Sequence, residues 1–234
     1  MDTGPYNTPL ALRREPLTAT FFVLAGWVVI STVVVMVIAA VSPGLFGSRE
    51  SGINHGALAI ASCLAALAFF ALVSAWSEWI GAGPFAGSMR APPALILVAM
   101  LVSPAIAMMI TLGVGAVAGG GAWIYPDEET AELYSEVNRT LASYGFILLL
   151  APVWEEVVYR GIGMGGLLVR RVPGPLAVIV TSLAFTLTHF QYTIWAMAVV
   201  FLIGCWLGFL RLWSGTLIVP IAAHFAINLA SVLL

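Results

Sequence analysis

The stretch "APVWEEVVYRG" at residues 151–161 sets two adjacent acids and an arginine inside a run that is otherwise apolar. A charged side chain at the middle of a membrane-spanning helix costs about 2.5–3.5 kcal/mol, so three acting independently would cost on the order of 8–10 kcal/mol. Part of that is recovered by pairing. Glu156 and Arg160 are four residues apart, about 40° apart on one helical face, with the acid before the base. Glu155 points about 100° away and has no such local partner. Further on, His189 closes "FTLTH", and His224 opens "HFAIN", which puts Asn228 one turn after it on the same face, with Ser231 continuing the stripe.

These residue types can do chemistry. A carboxylate in a low-dielectric site, not committed to an ion pair, can act as a general base toward water. A histidine beside it can hold the water or share the proton. A second histidine and an amide one turn apart offer two donors to a developing oxyanion. Glu155, His189 and His224 could equally hold a Zn2+ with one position open, although the His-Glu-x-x-His spacing of common zinc proteases is absent. No Gly-x-Ser-x-Gly elbow points to a serine nucleophile; Ser182 and Ser231 read as hydroxyls that pack helices.

The elements that must position these groups are membrane helices. Of 234 residues, 61% are hydrophobic and 9% charged, and the mean hydropathy is +1.04. A soluble domain of this size carries roughly 25% charged residues, so an ordinary water-soluble globule is excluded. Spanning helices of about 20 residues are expected at about 18–42, 56–77, 92–118, 143–168, 175–190, 193–210 and from 216 to the C-terminus. The fold class is therefore all-α: a polytopic transmembrane helix bundle of about seven spans, one integral membrane domain over 1–234. Residues 122–142, with Asp127, Glu128, Glu129, Glu132 and Glu136, form the one sizeable polar segment, read as a surface helix. Pro152 is expected to kink the fourth span, and Gly161, Gly163, Gly165, Gly166 and the Gly204-x-x-x-Gly208 pair to let helices approach closely.

Arginine placement orients the chain. With the N-terminus cytoplasmic, Arg13, Arg14, Arg90, Arg170, Arg171 and Arg211 fall at inside ends, and only Arg49 and Arg139 fall outside. Cys63 and Cys205 lie in apolar runs without metal-type spacing and read as buried thiols. The net charge is −2 and no basic cluster forms a nucleic-acid footprint. Counting about 1.5 Å per residue from the inside ends, Glu155 lies about 20 Å up its span. His189 comes out at about 21 Å, Asn228 at about 18 Å and His224 at about 12 Å. One shared polar site within the hydrocarbon is geometrically reasonable.

In order and spacing, Glu155-Glu156-x-x-x-Arg160, Phe185-x-x-x-His189 and His224-x-x-x-Asn228 resemble the CPBP (CAAX protease and bacteriocin-processing, or Abi) intramembrane protease family, which includes the Ras-converting CAAX endopeptidase. The resemblance covers about residues 143–234. It implies a membrane-embedded endopeptidase acting on a membrane-associated or lipidated protein or peptide. Glu155 would match the water-activating glutamate, His189 its assistant, and His224 with Asn228 the oxyanion pair; Glu156 and Arg160 would support them. The family has been described both as metal-independent and as metallo-endopeptidases, so Zn2+ stays open. The alanine-rich, lysine-free composition points to a bacterial cell membrane. Two other readings fit some of the residues: a non-catalytic immunity or scaffold protein whose buried ion pairs only fasten helices, and a small transporter. The transporter lacks the matching repeat halves expected of one.

Overall fold

The computed structural model describes residues 89–119, 146–169, 171–190 and 192–233, and every regular element among them is helical. Helix α1 is Pro93–Ala118. Helix α2 is a continuous helix made of four successive segments, Phe146–Leu150, Ala151–Glu156, Val157–Gly163 and Met164–Val169, whose junction residues Leu150, Glu156, Val157 and Met164 keep right-handed helical dihedrals. Helices α3, α4 and α5 are Gly174–Leu187, Ile194–Ser214 and Ile218–Leu233. The expected spans at 18–42 and 56–77, the polar segment 122–142 and His55 lie outside the described residues.

The helix ends follow from local chemistry. Prolines open α1 and α3, where a missing N–H loses nothing. Thr193 caps α4 by accepting the Ala196 N–H at 3.3 Å, and Gly215, at φ 65°, closes it. Between α2 and α3, Arg171 takes the left-handed position (φ 62°) that glycine normally fills. Its N–H reaches the Leu168 carbonyl, and Val172 N–H reaches that of Leu167, the paired bonds of a Schellman end. Val172 and Leu167 pack in one cluster with Met164, Ala177 and Val178, the apolar contact that accompanies such ends.

Among the described residues two helices, α1 and α4, are long and apolar enough to cross a membrane. At 26 and 21 residues they reach about 39 and 31 Å, against a hydrocarbon core of about 30 Å. α3 has 14 residues, about 21 Å, and stops at Leu187 rather than near 190 as its apolar run suggests. The reason is on the side chains that follow. Thr188 Oγ1 donates to the Phe185 carbonyl at 2.7 Å and His189 Nδ1 meets the same oxygen at 2.9 Å, so that carbonyl needs no further turn of helix. His189 therefore sits in the turn before α4, not within a helix.

α2 is also less regular than a helix kinked at one proline. Phe146–Leu150 and Val157–Gly163 are π-helical, with i→i+5 bonding. Pro152 has no N–H to offer the carbonyl of Leu148, and the first widening occurs just there. Gly161 and Gly163 lie in the second.

α3 and α4 pair as a hairpin; α5 lies against α1, with further contacts to α4 and to the Ala151–Glu156 segment of α2. A core of Ala99, Ala107, Leu207, Leu210, Val219, Ala223 and Ile227 joins α1, α4 and α5, and Trp206 Nε1 donates to Ser103 Oγ at 2.9 Å across α4 and α1. The α3–α4 contact depends on Gly208, where a Cβ would stand 2.9 Å from Val178 Cγ1. Gly208→Ala is expected to destabilise by about 1–3 kcal/mol through overpacking, and Val178→Ala in the same chain should recover most of it. Thermal unfolding of the detergent-solubilised variants checks both.

Candidate active site

The middle of α2 carries its charges inward. Glu156 and Arg160 are both completely buried, and Arg160 Nη1 lies 3.0 Å from Glu156 Oε1. The acid-before-base spacing does this within one helix; the rest of the arginine is held by neighbours. Nη2 donates to the Gly204 carbonyl of α4 at 2.7 Å, and the guanidinium sits 4.9 Å from the centre of the Phe185 ring of α3, within cation–π range. Gly204 makes this approach feasible: a Cβ there would lie 3.3 Å from Nη2 and 3.2 Å from Ser182 Cβ. One arginine thereby ties α2, α3 and α4 together.

The same Glu156 oxygen serves a second partner. His224 of α5 places Nδ1 3.0 Å from Oε1. Carboxylate oxygen accepts, so Nδ1 carries the proton and donates. The other ring nitrogen, Nε2, lies 3.6 Å from Glu155 Oε2, close for a charged contact but beyond hydrogen-bond length. His224 thus stands between two consecutive carboxylates of different character. Glu156 is fully enclosed, whereas the Glu155 side chain is 20% exposed. Sequence spacing grouped His224 with Asn228 and Glu156 with Arg160 alone; the bridge from His224 to Glu156, 68 residues apart, comes from the way α5 lies on α2.

Phe185 is the hub of the site. Its ring meets Tyr159 edge-on at 5.3 Å, His189 at 4.7 Å and His224 edge-on at 6.0 Å between centroids. Both imidazoles therefore rest on one phenyl ring. His189 also stacks on Tyr192 at 6.0 Å. Asn228 lies one turn beyond His224 on α5, half-buried, and its carbonyl accepts Ser231 Oγ at 2.8 Å. So the structure gathers Glu155, Glu156, Arg160 and His224 directly, and brings His189 to them through Phe185.

Spacing did not single out Tyr159, Thr188, the Gly204 carbonyl or the hub role of Phe185. The available signals were faint: Gly204 stands in a small-residue pair, and Phe185 falls one turn before His189.

Among the described residues no three His, Cys, Asp or Glu side chains converge closely enough to hold a metal ion. His189 Nδ1 is engaged with the Phe185 carbonyl, which leaves Nε2 as the ring nitrogen a metal would use.

Residues 138–230 match the family model of the type II CAAX prenyl endopeptidase, Rce1-like. This C-terminal stretch is therefore similar to CAAX proteases. No curated protein and no solved structure matches the chain. The matched stretch takes in α2, α3, α4 and most of α5, which supply every side chain of the site. α1 precedes the matched stretch and buttresses it, through the bond from Trp206 of α4 to its Ser103 and through its seam with α5. The matched family is one of proteases, and that match together with the long apolar helices α1 and α4 points to an integral membrane protein.

Proposed function

We propose that the domain is an intramembrane endopeptidase in which Glu155 activates water to hydrolyse a peptide bond of a membrane-associated or lipidated protein or peptide. The carrying observation is the division between neighbouring acids. Glu156 is buried and engaged by both Arg160 and His224, while Glu155 keeps an exposed edge beside His224 Nε2.

In this reading Glu155 takes a proton from water, the resulting hydroxide attacks the carbonyl carbon, and Glu155 returns the proton to the leaving amine as the C–N bond breaks. His189 helps to hold the water. His224 and Asn228 receive the developing oxyanion. Because Nδ1–H of His224 is given to Glu156, donation from Nε2 uses the imidazolium form, with Glu156 as its counter-charge. Arg160 in turn fixes the orientation of Glu156. The distribution of arginines supports a cytoplasmic N-terminus, and the alanine-rich, lysine-free composition supports a bacterial cell membrane.

Mass spectrometry of membrane peptides from cells carrying wild type or Glu155→Gln tests this. Peptides should accumulate in the wild type alone, and the same products should appear with a chelator present. Identical peptide sets from both strains would refute the reading, and chelator-sensitive cleavage would assign the work to a metal.

A further inference from the structure

The turn after α3 holds a hydrogen-bonded node that the proposed reaction does not by itself require. The last carbonyls of a helix lack intrahelical donors. Here the Phe185 carbonyl receives Thr188 Oγ1 at 2.7 Å, His189 Nδ1 at 2.9 Å and the Thr188 amide at 3.3 Å. A carbonyl oxygen can only accept, so both side-chain atoms must bring protons to it. The single hydrogen of the Thr188 hydroxyl is therefore spent on Phe185. Toward its other neighbours, Tyr159 OH at 3.3 Å and His189 Nδ1 at 3.4 Å, Thr188 Oγ1 is an acceptor. Every proton in the node is thus placed: Tyr159 donates to Thr188, Thr188 donates to Phe185, and His189 Nδ1–H donates to Phe185 with Thr188 as a second acceptor.

We propose that Thr188, locked by Tyr159, is a positioning residue that fixes His189 as the Nδ1–H tautomer and leaves Nε2 as its basic nitrogen. The opposite tautomer would set the Nδ1 lone pair against a carbonyl oxygen at 2.9 Å. Relieving that clash would require Thr188 to give up its 2.7 Å bond and turn its hydrogen toward the ring. Tyr159 adds registry. It is buried on α2, four residues after Glu155, so its hydroxyl ties the His189 turn to the helix that carries the proposed base. The ring contacts of Phe185 with Tyr159 and His189 hold the same three residues from the side. The catalytic consequence rests on the function proposed above; the tautomer does not.

The chain has three histidines, so selective 15N-histidine labelling yields three imidazoles, assigned by replacing each with Gln. Wild-type protein in lipid nanodiscs is expected to show His189 protonated at Nδ1 and bare at Nε2. Thr188→Val, which keeps the shape and removes the hydroxyl, should give a mixture of tautomers, and Thr188→Ser should restore the wild-type spectrum. Turnover of a fluorogenic farnesylated CAAX peptide should fall roughly tenfold in kcat in Thr188→Val, with KM within about twofold, and recover in Thr188→Ser. A wild-type His189 carrying its proton on Nε2, or a Thr188→Val spectrum identical to wild type, overturns the proposal. If wild type leaves the peptide intact, the assumption about substrate or activity fails and the spectra alone decide the role of Thr188.

Discussion

Glu155→Gln is expected to lower cleavage by about 10²–10⁴-fold, the range for loss of a positioned general base, while leaving the thermal midpoint of the purified protein essentially unchanged. The amide keeps the shape of the side chain and removes its ability to take a proton. Its cost to the fold is small because Glu155 is the partly exposed acid, and its nearest charged neighbour is a 3.6 Å contact with His224 rather than a short hydrogen bond. The buried Glu156–Arg160–His224 cluster stays intact behind it. Initial rates on a cleaved peptide, read alongside thermal unfolding in the same detergent, separate the two effects. Retained cleavage would remove Glu155 from the mechanism, and a large fall in midpoint would make it a structural carboxylate.

Arg160→Met should do the reverse and strike the fold first. It strips the guanidinium from Glu156 Oε1 and the Gly204 carbonyl, leaving a buried carboxylate with His224 as its remaining short contact. Breaking one side of a buried pair costs about 3–5 kcal/mol, enough to lower the yield of folded protein sharply. Replacing both members, Glu156→Gln with Arg160→Met, removes the stranded charge and should regain a substantial part of the loss, although His224 would then lack its anion and cleavage would stay low. Denaturant unfolding of the single and double variants gives the coupling. A double variant no more stable than the single one would mean that the charge of Glu156 is not what makes Arg160 necessary.

These two expectations rest on features of different legibility. The Glu156–Arg160 contact follows from i,i+4 spacing, and residues one helical step apart cannot share a face, so the different surroundings of Glu155 were accessible to reasoning from the chain alone. Helix limits marked by Pro92–Pro93 or Gly215 were likewise close to readable. Contacts between helices were not. A helix that is apolar all round has no amphipathic face to announce its rotation, so nothing in "HFAIN" says that His224 turns Nδ1 to Glu156. Nor does "LIGCW" reveal that the Gly204 carbonyl meets a guanidinium. His189 was misplaced for a local reason: the apolar run continues through Leu187, but Thr188 and the imidazole itself end the helix.

The widened turns of α2 carry a further implication, about chain length. In a regular helix each residue advances the side chains by about 100°, and a stretch of i→i+5 bonding accommodates one residue more than the regular helix would. Val157–Gly163 separates the acids from the Met164–Val169 segment packed on α3. Deleting a single residue there, beyond Arg160, would let the helix close into a regular coil while the segments on either side keep nearly their present orientation. A deletion in the regular Ala151–Glu156 segment has no such slack and would swing what lies beyond by about 100°. A one-residue gap should therefore be tolerated better in the widened turn than in the segment that carries the acids.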